Sequence, residues 1–159
     1  RVADWKLPKG DVISPIPVFW RSWEMPGDAL QKKYPLQCFG FHGHGRIHST
    51  FHNLPQLRSI HPDSVWINTI DAAQRKIKEG DLVEIFNDRG IVRLPARVTS
   101  RIMPGVVTMP QGAWYKPVEI NGKRVDIGGN INTLTHHRPS PLAKGNAQHT
   151  ILVDVRKAA

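Results

Sequence analysis

Five of the chain's eight histidines, at positions 42, 44, 48, 52 and 61, fall within twenty residues, a density that first raises metal ligation. The spacing does not complete a metal motif. His48 and His52 stand four apart with no glutamate between them, and Gly43 and Gly45 disfavour a helix through His42 and His44. Loop histidines making hydrogen bonds are the simpler reading; a histidine-based metal enzyme would have to carry stoichiometric metal. The stretch His42-Gly43-His44-Gly45-Arg46-Ile47-His48-Ser49-Thr50 suits a ligand better. Its glycines allow close backbone approach, Arg46 offers a planar fork or a stacking plane, and His, Ser and Thr supply donors and acceptors for the edge of a phosphorylated heterocycle.

A second such stretch is Gly128-Gly129-Asn130-Ile131-Asn132-Thr133-Leu134-Thr135, whose asparagine amides offer the donor and acceptor pair that matches a pterin or guanine edge, although an ordinary Asn-Gly turn explains it equally well. No adjacent Ser/His/Asp set, nucleophile elbow, phosphate-binding P-loop or dinucleotide fingerprint occurs. Asp71, Asp81 and Asp88 fit capping and turn chemistry. The only cysteine, Cys38, excludes an internal disulfide and a cysteine-based zinc ribbon, and reads as a small strand hydrophobe. The chain looks built to hold something, with no complete catalytic apparatus of its own.

The elements that must position these loops are short strands. At 159 residues the chain is one domain's length, and its 13 glycines and 13 prolines argue against a bundle of long helices. No apolar run is long enough for a membrane-spanning helix. Tyr34 to Phe41 reads as a core strand and Ser64 to Ile67 as another. Asn68 then stands as a helix N-cap, with Ile70, Ala73 and Ile77 on one face and Gly80 closing the helix. Asp81 to Phe86 and the strictly alternating Val92, Leu94, Ala96 and Val98 predict a hairpin around Asn87-Asp88-Arg89-Gly90. Pro95 lacks a ladder donor, which puts it at an edge or a bulge. Val106 to Met109 and Ile151 to Val155 complete six or seven strands, and Gly112 to Gln148 reads as a long loop. These predict a mainly β, crossed-over small barrel over residues 34–159. Residues 1–33 read as an extended arm, a lead-in from a preceding domain, because four prolines and three tryptophans there follow no period.

Lys and Arg exceed Asp and Glu by nine, which favours an anionic partner. The positive residues are dispersed and no RNA-binding aromatic signature accompanies them. A freestanding basic nucleic-acid-binding barrel is therefore the alternative reading, one that demands strongly salt-dependent affinity for generic DNA or RNA.

Four segments together resemble one family. WINTIDAAQRKIKEGDLVEIFNDRG (66–90), MPGVVTMPQGAWY (103–115), GGNINTLTHHRPSPLAKGN (128–146) and RIHST (46–50) are similar to the C-terminal molybdopterin dinucleotide-binding domain of the dimethyl sulfoxide reductase family of molybdenum oxidoreductases, nearest to the catalytic A subunits of its membrane-anchored members. The resemblance covers nearly the whole chain from Tyr34. It implies a double-psi β-barrel that binds bis(molybdopterin guanine dinucleotide) with its molybdenum, shared with preceding domains of the same catalytic subunit that carry the metal's protein ligand. Further partners implied are an iron–sulfur electron-transfer subunit and a membrane anchor, at the periplasmic face of a bacterial cytoplasmic membrane, with no nucleic acid. Carried onto this sequence, it makes Arg46, His48, Ser49 and Thr50 cofactor contacts, with His42 just upstream, Asn132 at a pterin edge and Gln148 before the last strand. No role transfers to His44, Asn130, His136 or His137. Catalysis by this piece alone is not expected.

Overall fold

The computed structural model describes residues 4, 6–7, 13–19, 21–140, 144–145 and 149–158. Eight strands follow in chain order: β1 (Leu36–Phe41), β2 (Val65–Ile67), β3 (Leu82–Asn87), β4 (Gly90–Val98), β5 (Val106–Pro110), β6 (Pro117–Ile120), β7 (Lys123–Asp126) and β8 (Ile151–Lys157). Two short helices, α1 (Pro55–Ile60) and α2 (Thr69–Gln74), lie before and after β2. The sheet runs β2-β5-β1-β8-β3-β4-β7-β6, and a further β2–β4 pairing closes six of the strands into a barrel that leaves β6 and β7 outside. β1 with β5 and β2 with β4 are parallel while the other barrel pairs are antiparallel, so the connections cross as a double-psi barrel requires.

Alternation drives this closure. In β4, Val92, Leu94 and Ala96 point inward between half-buried or exposed neighbours; Leu36 and Cys38 do so in β1, and Val65 and Ile67 in β2. Each fully buried aliphatic side chain contributes about 1.5–3 kcal/mol. Cys38 is completely buried among them, and that burial pushes its thiol up to about 12, so it packs as an inert hydrophobe. Glu84, on the opposite face of β3, is buried under Arg93 at 2.6 Å and Arg156 at 2.7 Å. Burial alone would raise its pKa, but the hydrogen bonds and charges of the two arginines win and hold it below the ordinary range.

Three expectations change. Asn68 caps α2 as the sequence implies, its Oδ1 accepting from Ile70 N at 2.8 Å. The helix, however, ends at Gln74, and Lys76 takes the left-handed conformation at φ 56. Gly80 instead donates its N–H to Ala96 O at the mouth of β4, and the anticipated apolar face is wrong because Ile70 is 55% exposed while Asp71 and Ala72 are buried. Pro95 sits inside the barrel sheet: Ala96 N donates toward Asp81 O, so the donorless Pro95 nitrogen faces the other side of β4, in the gap between β7 at Val92 and β2 at Ala96. Finally, the tract read as one long loop contains the β6–β7 hairpin, turned by Asn121 at φ 50 and Gly122 at φ 70, the paired left-handed residues of a tight hairpin turn.

Candidate functional site

Strand direction decides where the loops go. β1 and β5 run parallel, so residues 42–50 and 111–115 leave the barrel at the same end. β8 runs antiparallel to β1, which brings its first residues to that end, and the β3–β4 turn lies there for the same reason. Ile131–Thr133 form a single 3-10 turn that reaches the same place, with Thr133 packed against Gly90 and Ile131 against Gly40.

The 42–50 segment is tightly constrained. Ile47 and Thr50 exchange backbone hydrogen bonds at 3.3 and 2.9 Å, and His48 and Phe51 adopt φ 49 and φ 74. A positive φ is costly for a bulky residue such as phenylalanine and persists where the surroundings impose it. Those surroundings are the 111–115 loop: Trp114 Nε1 donates to Ser49 O at 2.9 Å, and Gly112 lies so close that a Cβ there would stand 2.0 Å from His48 O. The result is an anchored backbone that presents exposed side chains at His42, His48, Ser49 and Thr50, with the rings of His42 and His48 4.9 Å apart, edge to face.

Arg46 turns the other way. Its side chain is 7% exposed; Nε donates to Gln111 O at 3.0 Å, and Nη1 reaches Asp63 Oδ2 at 2.8 Å and His52 Nδ1 at 2.9 Å. Its Nη2 is buried without a hydrogen-bond partner among the described residues. Arg46 lines a cavity of about 420 Å³ walled by Phe41, Trp66 and Phe51. His52 is buried beside it, and desolvation followed by the Arg46 charge lowers its pKa, which keeps the ring neutral and able to accept. Among the described residues, no three His, Cys, Asp or Glu side chains gather as metal ligands.

Asn132 is exposed on the 3-10 turn and lines a separate cavity of about 330 Å³ with Thr135, His136, His137, Arg138 and Lys144, of which the arginine and the lysine are the fixed cations. Asn130 caps this turn, its Oδ1 accepting from Asn132 N at 2.9 Å. Gln148 lies outside the described residues. The structure thus brings His42, His48, Ser49 and Thr50 together, sets Asn132 on a neighbouring loop at the same end, and directs Arg46 into the protein.

Three organising residues escaped sequence reasoning. Asp126, 1% exposed, accepts from Lys116 N and Gly128 N at 2.8 Å through Oδ1 and from Asn130 N at 2.7 Å through Oδ2, which shapes the approach to the Asn132 turn. Its local signal was an acidic residue two before a Gly-Gly pair, a common side chain to backbone turn. Glu24 and Arg89 pair at 2.7 Å across 65 residues, and no local pattern announces such a contact.

Comparison with known proteins bears on the fold and the family. The model of the molydopterin dinucleotide binding domain matches residues 36–152. Dimethyl sulfoxide reductase DmsA of Escherichia coli is 54% identical over 98% of this chain and 19% of its own length; dimethyl sulfoxide/trimethylamine N-oxide reductase of Cereibacter sphaeroides is 36% identical over 87% and 18%. The chain therefore spans about a fifth of the length of these relatives. In fold, acetylene hydratase from Pelobacter acetylenicus superposes with a TM-score of 0.71 at 19% identity, covering 91% of this chain and 21% of that one. A barrel closed by crossed parallel pairs, its constrained loops gathered at one end and a family model matched across nearly all its strands, make this chain a member of the molybdopterin dinucleotide-binding domain family.

Proposed function

We propose that these residues form the cofactor-binding domain of a longer molybdenum oxidoreductase that reduces S-oxides or N-oxides, and that they hold bis(molybdopterin guanine dinucleotide) at the loop end of the barrel. The observation that carries this reading is the contrast at residues 42–50: a backbone locked by Trp114 and the Ile47–Thr50 pair, with polar side chains left facing outward. Preorganised donors and acceptors of that kind suit a large polar heterocycle, because the cost of ordering them is met on folding rather than on binding.

The residues fit the group. His42, His48, Ser49 and Thr50 supply exposed donors and acceptors, Asn132 supplies an amide edge, and the orphaned Nη2 of Arg46 is a buried cationic donor awaiting an acceptor. Arg138 and Lys144 beside Asn132 suit the phosphates of a dinucleotide. When bound, the molybdenum centre supplies two-electron redox chemistry. The roles left to this chain are to bind, orient and shield from water. Preceding domains of the same chain extend the same reading, as the relatives' greater length supports; an iron–sulfur subunit and a membrane anchor at the periplasmic face are what the sequence resemblance implies.

The test is cofactor content of the full-length enzyme. Arg46→Ala and Asn132→Ala should each lower the molybdenum and guanine nucleotide retained per chain, as expected when a charged or polar contact of roughly 1.5–3 kcal/mol is removed. Unchanged content in both variants would overturn the site.

A further inference from the structure

Glu24 lies outside the four segments that carry the resemblance and before the family-model match at 36–152, yet its carboxyl is 3% exposed and takes four donors. Arg89 grips it with both ends of its fork, Nη1 to Oε1 at 2.7 Å and Nη2 to Oε2 at 3.0 Å. His136 Nε2 stands 2.6 Å from Oε1, and Leu152 N donates to Oε2 at 2.6 Å. The same Arg89 guanidinium donates from Nε to Leu134 O at 2.7 Å. Asn87 Nδ2, at the end of β3, donates to Leu134 O at 2.9 Å and Leu152 O at 3.3 Å. One buried carboxylate therefore joins the exit of the Asn132 turn to the first residues of β8, two segments that no strand pairing connects.

Stability alone gives no reason for this arrangement, because a buried ion pair is often no more stabilising than apolar packing of the same volume. What it adds is geometry: a bidentate fork with every carboxylate oxygen satisfied admits one spacing and one orientation. His136, held by Glu24, lines the same cavity as Asn132. We propose that Glu24 is a positioning residue for the dinucleotide: through Arg89 and His136 it holds the 131–136 turn against β8, so that Asn132 meets the ligand already oriented. This rests on the cofactor-binding reading above.

The experiment uses the full-length, cofactor-loaded enzyme and follows release of the guanine dinucleotide, with amide hydrogen exchange as a second readout. Glu24→Gln keeps the shape and removes the charge. It should speed release roughly ten- to a hundredfold, the range expected when one hydrogen bond to a charged group no longer orients the site, and raise exchange at residues 132–136 while β3, β4 and β5 stay protected. Asn132→Ala in the Glu24→Gln background should add less than its effect alone, because the turn is already loose. Multiplicative effects would make the two residues independent and end the proposal. Wild-type release from Glu24→Gln while Asn132→Ala loses cofactor would end it too, leaving the binding reading intact; no effect of Asn132→Ala itself strikes at that reading instead. Should Glu24→Gln fail to fold, Arg89→Lys decides, since lysine keeps a charge on Glu24 but cannot also reach Leu134 O. Faster release from a folded Arg89→Lys enzyme supports the proposal. Wild-type release, or collapse of barrel protection in both variants, overturns it.

Discussion

His52 Nδ1 accepts a 2.9 Å hydrogen bond from Arg46 Nη1 inside the protein, beneath the turn that carries His48, Ser49 and Thr50. Arginine has no acceptor, so the contact requires a neutral imidazole. Through this pair the outward-facing part of the turn depends on the protonation of a residue that solvent barely reaches.

A pH dependence follows. The folded pKa of His52 is depressed below its ordinary value of 6.5, so above that value the ring is neutral in both the folded and unfolded chain and its contribution is fully present. As pH falls below 6.5 the unfolded chain takes up a proton that the folded chain resists, and stability is lost until pH reaches the folded pKa. Thermal unfolding of the full-length protein between pH 7 and 5 should show this loss, and His52→Gln, whose amide oxygen can still accept from Arg46, should flatten it. An imidazole titration midpoint for His52 above 6.5 would contradict the assignment.

Asp126 concentrates three backbone donors on one buried carboxylate. Asp126→Ala orphans them, at roughly 1–3 kcal/mol each before water or relaxation recovers part, so a loss of about 3–5 kcal/mol is expected in urea unfolding. Asp126→Asn keeps the Oδ1 acceptor for Lys116 and Gly128 but sets an amide against the Asn130 N–H, and should cost about half as much. Hydrogen exchange at Gly128 and Asn130 should rise in both variants, and most in the alanine one.

Gly112 is the contact point of the two loops. A Cβ there meets His48 O at 2.0 Å on a backbone already at φ +85, so Gly112→Ala must displace the 47–51 turn. Gly122, at φ +70, has nothing within 4 Å of its would-be Cβ, and Gly122→Ala should cost only the left-handed penalty of about 1–2 kcal/mol. Cofactor retention should fall in the first variant and stay at the wild-type level in the second; equal retention would show that the turn does not need its present position.

Much of the scaffold was legible because it rests on neighbours two to four residues apart. The alternation of Val92, Leu94 and Ala96, the Asn68 cap and the apolar character of Cys38 all appear in the structure as the sequence implies. The same local logic misled at Gly80, where a helical spacing of Ile70, Ala73 and Ile77 was outweighed by the burial of Asp71, whose carboxylate accepts from Gly105 N at 2.7 Å and so ties α2 to the turn before β5. It also overlooked the β6–β7 hairpin, although Asn121-Gly122 between Val118-Glu119-Ile120 and Lys123-Arg124-Val125 is a strong turn signal. A search for apolar periodicity passes over strands this short and this charged.

The candidate residues divide in the same manner. By itself the order of residues marked which stretches are polar, glycine-bearing and alike to one family, since those properties travel with the chain. Only barrel closure determined that His42, His48, Ser49 and Thr50 face outward while Arg46 is drawn in to Asp63, and that Glu24 finds Arg89, His136 and Leu152 from 65, 112 and 128 positions away. An ion pair or a shared carboxylate is set by distance in space, and in a sheet whose parallel pairs cross, spatial neighbours are decided by how the strands close.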